Sequence, residues 1–162
     1  MPAGTAREEE TRLFSEVFEG FKILPHVAAL GAAYALALPI GWNREREARS
    51  AGLRTFPLVA IATCGFVQAT EGLVQGSPEA LSRIVEGIIT GVGFIGGGAI
   101  LKQGSVVSGT ATAASLWATG AIGAAVGLGS FDVAIAVALF TNFTLHVLTR
   151  LKGVAGVDAK QD

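Results

Sequence analysis

The chain has 162 residues, of which 51% are hydrophobic and 15% charged, and its formal net charge at pH 7 is -1. This composition is too apolar for an ordinary water-soluble domain, and the net charge excludes a general attraction to nucleic acid. The single cysteine, Cys64, excludes intrachain disulfides and metal sites built from cysteines. The few charges lie in short blocks between long uncharged runs, so their distribution carries more information than their total.

The chain begins with a polar, acidic segment followed by a short amphipathic stretch. Residues 1–12, MPAGTAREEETR, lack the basic start and apolar core of a cleavable signal, so we expect a disordered segment and retention of the hydrophobic runs that follow. Over residues 13–22 the apolar side chains fall on one helical face and the charged ones elsewhere. This pattern predicts an amphipathic interfacial helix, or a helix packed on the outer surface of the protein itself.

Five hydrophobic runs follow, each long enough to cross a bilayer. A helix rises 1.5 Å per residue, so about 18 apolar residues span a hydrocarbon layer of about 30 Å. The runs cover residues 23–42, 56–74, 84–101, 111–128 and 131–149. We therefore predict an all-α fold: a polytopic integral membrane bundle of five transmembrane helices over residues 23–150, with a cytoplasmic tail over 151–162.

The loops between these runs predict the orientation of the chain. The first loop, the third loop and the tail carry basic residues, whereas the second and fourth are mainly acidic. The basic residues are Arg44, Arg46, Arg49, Arg54, Lys102, Arg150, Lys152 and Lys160. Because retained Lys and Arg mark the cytoplasmic side, five spans place the amino terminus outside and the carboxyl terminus inside.

The loop after the first span, GWNREREARSAGLRTFP, holds the candidate functional residues. A charge near the bilayer centre costs at least about 2.5 to 3.5 kcal/mol, so charges kept close to a span need a partner, water or a role. We predict an ion-paired cluster with Glu45 held between arginines and available to a partner protein or an anion. Its members are Arg44, Glu45, Arg46, Gly52, Arg54 and Thr55, with Gly52 ending the first helix and Thr55 capping the second. The alternative is a solvated loop whose arginines only set topology.

The stretch GVGFIGGG, residues 91–98, contains the spacing G-x-G-x-x-G. A dinucleotide site also needs a preceding strand, a helix amino terminus and an acidic residue about 20 positions later, and these are missing. In a membrane, small residues instead let helix backbones approach closely. We predict helix packing, within one subunit or across a homodimer, at Gly87, Gly91, Gly93, Gly96, Gly97, Gly123 and Gly127. Residues 96–98 are expected to mark a weakened or bent helix end, or a broken third helix that lines an ion path.

Three ordered motifs in this chain resemble the MgtC/SapB family of bacterial inner-membrane proteins. They are Arg44-Glu45-Arg46 with the run AGLRT at 51–55, GVGFIG at 91–96, and GTATAASLW at 109–117. The resemblance implies a bacterial inner membrane, five spans and a periplasmic amino terminus. It also implies a role in magnesium limitation or acid tolerance, exerted as a regulator of other membrane proteins.

Other chemistry is weakly supported by the sequence. Glu71, Glu79, Glu86 and Asp132 fall on the predicted outer side, where they could gather Mg²⁺ or protons or simply be solvated. No Ser-His-Asp set, HExxH motif or paired-carboxylate pattern occurs at a usable spacing, so we predict no enzyme, no metal site and no cofactor.

The sequence therefore predicts a regulator of ion (magnesium or proton) or energy homeostasis, forming a homodimer and contacting another inner-membrane protein. The alternative is a small ion channel or transporter, with a pathway along a broken third helix and the Arg/Glu cluster.

Overall fold

Over the residues that the structure describes, the fold is a bundle of five α-helices. The computed structural model describes residues 23–47, 51–74, 77–103 and 105–148. Its helices are α1 Ile23–Arg46, α2 Thr55–Val74, α3 Pro78–Gly98, α4 Thr110–Gly127 and α5 Phe131–Phe143. The predicted helical bundle is confirmed. The expected disordered segment 1–12, interfacial helix 13–22 and tail 151–162 lie outside the described residues.

The outer surface of the bundle is apolar. Large hydrophobic side chains such as Leu24, Phe94 and Phe140 are exposed, and in water such a surface would be unfavourable. Within the described part of the chain, three helical segments are long and apolar enough to cross a membrane: Ile23–Arg46, Pro78–Gly98 and Phe131–Leu148. The third includes a π-helical turn at Thr144–Leu148. The crossing of the membrane by all five helices stays a prediction.

Helix α4 occupies the centre of the bundle, where it contacts each of the other four helices. It consists mostly of Ala, Gly, Ser and Thr, which give it a slim surface on several sides. Two of its buried hydroxyls are satisfied within the helix: Ser115 donates to the Ala111 carbonyl at 2.6 Å and Thr119 to the Ser115 carbonyl at 2.8 Å. The helices at the centre of the bundle therefore pack through close approach of their backbones.

Helix α3 differs from its prediction in where it begins. It starts at Pro78, ahead of the predicted residue 84, because Ser77 caps it and accepts a hydrogen bond from the Ala80 N–H. The helix is continuous to Gly98, so the alternative of a broken third helix that lines an ion path is wrong. Its end at Gly98 agrees with the weakened helix end expected at the three glycines.

A short hairpin joins α3 to α4, and the sequence had indicated only a loop there. Strand β1, Leu101–Gln103, pairs antiparallel with β2, Val106–Ser108. Gly109 then turns the chain into α4 with a φ of +86°, and a Cβ there would collide with the Ala99 carbonyl. Glycine is the residue that meets both requirements.

Candidate functional site

One end of the bundle gathers the segments that carry most of the basic residues; we call it the basic end. A Cβ on Gly41, near the end of α1, would lie 3.2 Å from the Gly52 carbonyl at the start of α2. Asn43 Nδ2 lies 3.5 Å from His146 Nε2, so the π-helical turn Thr144–Leu148 that follows α5 also lies at this end. Arg44 shares a cavity with Ser108 of the hairpin. The first loop, the hairpin and the last described helix therefore meet at this end.

Arg44 is the central side chain of the basic end, and its side chain is only 2% exposed. Its Nη2 donates to Glu47 Oε2 at 2.9 Å and to Asn43 Oδ1 at 2.7 Å, and its Nε donates to Asn43 Oδ1 at 3.2 Å. An ion pair is present as predicted, but the carboxylate is that of Glu47. Sequence reasoning missed Asn43 and Glu47, although the i, i+3 spacing of Arg44 and Glu47 was a usable signal.

Glu45 has a different role from the one predicted. Its Oε2 accepts a hydrogen bond from the Leu53 N–H at 3.1 Å, so it holds the loop between α1 and α2. The expectation that Glu45 lies between arginines is wrong for the described residues, because its side chain turns towards the loop backbone. Arg49, four residues after Glu45, lies outside the described residues.

Gly52 lies against the Glu45 side chain in that loop and does not end the helix as predicted. Helix α1 ends at Arg46, and a Cβ on Gly52 would overlap the Glu45 carboxylate. The Gly52 carbonyl accepts hydrogen bonds from the Thr55 and Phe56 N–H groups at 3.0 and 3.3 Å. Thr55 is thus the first residue of α2, whereas the prediction made it the N-cap residue that precedes the helix.

Arg46 and Arg54, the remaining predicted members of the cluster, are both exposed. Neither belongs to the Arg44 hydrogen-bond network described above. Arg54 lies at the start of α2 and lines a large groove beside that helix. The predicted cluster is therefore divided into a buried part around Arg44 and an exposed part.

The glycines of the membrane spans fall into two groups. Gly123 and Gly127 bring α4 against the backbone of α2. Gly96 does the same between α3 and α4: a Cβ placed on it would lie 3.3 Å from the Ala113 carbonyl oxygen. Four others, predicted to pack, meet no atom within 4 Å: Gly87, Gly91, Gly93 and Gly97. Gly120 also brings α4 close to α3, because a Cβ placed on it would lie 2.8 Å from Val92 Cγ2.

Two of the open glycines line a cavity of about 700 Å³ between α2 and α3, which we call the lateral groove. Its walls are apolar along most of their length, with Leu58 and Phe66 on α2 and Gly87 and Gly91 on α3. Arg54 lines the groove at the start of α2 and supplies its charge. The groove can accept an elongated apolar group.

The sequence profile of the MgtC family matches residues 30–154, a range that contains the basic end and the lateral groove. The chain belongs to the MgtC family. Protein SrpB of Synechococcus elongatus is 39% identical over 150 residues, covering 82% of each chain. The MgtC proteins of Salmonella typhimurium and Brucella abortus are 39% and 40% identical over 118 and 121 residues. No solved structure matches this chain significantly.

Membership of the MgtC family confirms the resemblance given by the three motifs and identifies a membrane protein. The alignments cover 73% and 74% of this chain but 50% of each of those two MgtC proteins. The chain thus spans about half the length of these MgtC relatives. Over residues 23–47, 51–74, 77–103 and 105–148, no three His, Cys, Asp or Glu side chains come close enough to hold a metal ion.

Proposed function

We propose that this MgtC-family chain is a bacterial inner-membrane regulator. In this proposal it modulates magnesium, proton or energy homeostasis by binding a transmembrane helix of another membrane protein. The observation that carries the proposal is the lateral groove, whose glycines are open to the side of the bundle. The basic end is cytoplasmic in this arrangement and the amino terminus periplasmic, because Lys and Arg are retained on the cytoplasmic side.

The spacing of the open glycines supports a helix as the occupant of the groove. Gly87 and Gly91 lie four residues apart on one face of α3 with no atom near either Cβ position. Inside the bundle, Gly123 and Gly127 have the same spacing and receive the backbone of α2. Lipid gives helices little net hydrophobic drive to associate, so close backbone approach is what holds them together. The groove offers this type of contact to a further helix.

The shape of the groove favours a different protein over a second copy. In a two-fold dimer the same surface faces itself, and two identical concave grooves would not fill each other. Gly93 and Gly97 are also four residues apart and open, and they lie outside the groove. The predicted homodimer stays a prediction, and this second pair of glycines is the face we assign to it.

The continuity of α3 weakens the case for an ion channel or transporter. The alternative required a broken third helix, whereas α3 is helical from Pro78 to Gly98. We therefore expect the purified protein, reconstituted alone in liposomes, to move no Mg²⁺ or H⁺ above the rate of empty liposomes. Measurable flux would favour the channel over the regulator.

Photocrosslinking in the native bacterium tests the binding of a partner helix. A photoreactive amino acid replaces Ala62 in the groove or, as a control, Gly31 on α1, which is also exposed with no atom within 4 Å. We expect the groove position to capture one protein of defined mass and the α1 position to capture none. Gly91→Leu should abolish the crosslink and growth at low magnesium, because its side chain fills the groove. Gly31→Leu should preserve both.

Two outcomes would contradict the proposal. A crosslinked product at twice the 16.5 kDa of the chain would show that the groove binds a second copy. Crosslinking to lipid alone, with normal growth of Gly91→Leu at low magnesium, would show that the groove faces the bilayer and binds no helix.

A further inference from the structure

A second cavity, of about 210 Å³, lies at the basic end between α1, the hairpin and the first turn of α4. The lateral groove is apolar, but this cavity is lined by a guanidinium, three hydroxyl side chains and helix backbone. The polar side chains are those of Arg44, Ser108, Thr110 and Thr112. The volume suits a small ion and is too small for a peptide helix.

The backbone contributes uncapped hydrogen-bond donors to this cavity. Helix α4 begins after Gly109, which has no side chain to cap it, and the Ala113 N–H makes the first helical bond, to the Gly109 carbonyl at 2.9 Å. The N–H groups of residues 110–112 precede that bond and have no partner within the helix. Helix α3, in contrast, is capped by Ser77. The uncapped turn carries a partial positive charge of roughly half a unit.

Thr112 gives an independent indication of a ligand. It is only 1% exposed and lines the cavity, yet its hydroxyl forms no hydrogen bond with any residue that the structure describes. Buried Thr63 and Thr119 donate to the carbonyl four residues earlier in their own helices. Thr112 cannot do so within α4, because the residue four positions earlier, Ser108, belongs to β2. The residue is buried but its hydroxyl oxygen is not fully enclosed by protein, so an acceptor in the cavity can receive its hydrogen bond.

Arg44 adds a full positive charge that is fixed in place. Asn43 and Glu47 hold its guanidinium, which is nearly inaccessible to bulk water and lines the cavity. Among the residues that the structure describes, Glu47 is the carboxylate paired with it, and the Glu47 side chain is 24% exposed. Glu45 is directed to the loop backbone. The charge balance of the cavity therefore includes one arginine, one partly solvated carboxylate and a helix amino terminus.

We propose that this cavity binds the phosphate group of a small oxyanion or of a lipid headgroup. The oxygens accept hydrogen bonds from the first-turn N–H groups of α4 and from the hydroxyls of Thr110 and Thr112, and the guanidinium of Arg44 contributes positive charge at the cavity wall. The Ser108 hydroxyl lines the cavity but donates to the Leu101 carbonyl. The site is separate from the lateral groove. In the regulator proposed above, a phosphate group bound there would act on the protein from the basic end.

Inorganic phosphate and a matched pair of threonine variants test this site. We expect phosphate, but not chloride, to raise the melting temperature of the purified full chain in detergent and to give a measurable Kd by calorimetry. Thr112→Val removes the hydroxyl that faces the cavity and should weaken binding about tenfold. Thr119→Val removes a buried hydroxyl whose partner is the Ser115 carbonyl, and it should bind like the wild type. Gly91→Leu, in the groove, should also leave phosphate binding unchanged.

A second set of measurements distinguishes free phosphate from a headgroup. In nanodiscs that contain phosphatidic acid, stabilisation that is absent in phosphatidylcholine and lost in Thr112→Val would assign the site to lipid. The proposal is overturned if neither phosphate nor phosphatidic acid stabilises the chain. It is equally overturned if Thr112→Val and Thr119→Val respond like the wild type.

Discussion

Arg44 illustrates how one side chain can stabilise a membrane protein at the end of a helix. Its planar fork reaches Asn43 Oδ1 through two nitrogens while Nη2 also meets the Glu47 carboxylate. A lysine ammonium is a compact charge on a flexible stem and cannot reproduce that geometry. The position therefore requires arginine specifically, and a positive charge alone is insufficient.

This requirement predicts different effects for two neighbouring arginines. Arg44→Lys should lower the free energy of unfolding in detergent by about 1–3 kcal/mol, because buried acceptors lose their donors. Arg46→Lys alters an exposed side chain and should change the free energy of unfolding by less than about 0.5 kcal/mol. Chemical denaturation followed by circular dichroism measures both. Equal stability of the two variants would mean that the Arg44 network does not stabilise the fold.

The sequence predicted the stretch that carries the buried arginine, but it did not predict the hydrogen-bond partners of that arginine. The stretch NRER was singled out because charge beside a span is costly, and Arg44 is indeed buried there. The identity of its carboxylate depended on where α1 ended. The helix continues to Arg46 and places Glu47 beside Arg44, while Glu45 turns to the Leu53 N–H. That choice depends on the conformation of the loop, which the sequence pattern did not specify.

Among the helices, glycine spacing has two different consequences. The pair Gly123 and Gly127 lets α2 and α4 touch through their backbones, whereas Gly93 and Gly97 face open space in the single chain. Spacing by four predicts that two glycines share a face, but it does not say which helix covers that face. The hydrophobic runs predicted the positions of the helices well, because the length and composition of a run indicate a helix without information about its neighbours.

Two alanine substitutions separate these two kinds of glycine. A Cβ at Gly123 would overlap Thr63 Oγ1 and the Ala60 carbonyl, so Gly123→Ala should destabilise the protein by about 1–3 kcal/mol. Gly97→Ala meets nothing within 4 Å and should leave stability unchanged or slightly higher, because alanine favours helix. Thermal melting in detergent measures the difference. Comparable loss in both variants would contradict the packing described for α4.

The hairpin and the start of α3 show where pattern reasoning at the level of elements was insufficient. The hairpin strands are only three residues each, too short for alternation to be distinguished from a loop. The start of α3 is set by the Ser77 and Pro78 pair, a capping signal outside the apolar run. Hydropathy determines where apolar segments lie, whereas caps determine where helices begin.

For the molecule as a whole, the basic loops converge on one end. The loop after α1, the hairpin with Lys102 and the end of α5 all belong to that end, as an odd number of alternating helices requires. Charge counting had assigned the same segments to the cytoplasm.

Cysteine labelling tests that orientation. With a membrane-impermeant maleimide applied to intact cells, Asp132→Cys at the opposite end should be labelled, and Lys102→Cys should be labelled only after the inner membrane is opened. Both positions are exposed, whereas the native Cys64 is 0% exposed and should stay unlabelled as an internal control. Labelling of Lys102→Cys from outside would invert the proposed topology.

The central position of α4 has a consequence for biosynthesis. Helix α4 contacts the three helices that precede it in the chain and also α5, which follows it. Its small and hydroxyl-bearing residues are covered on all these sides only when α5 is in place. The core of the bundle can therefore be completed only after the last described helix has been synthesised.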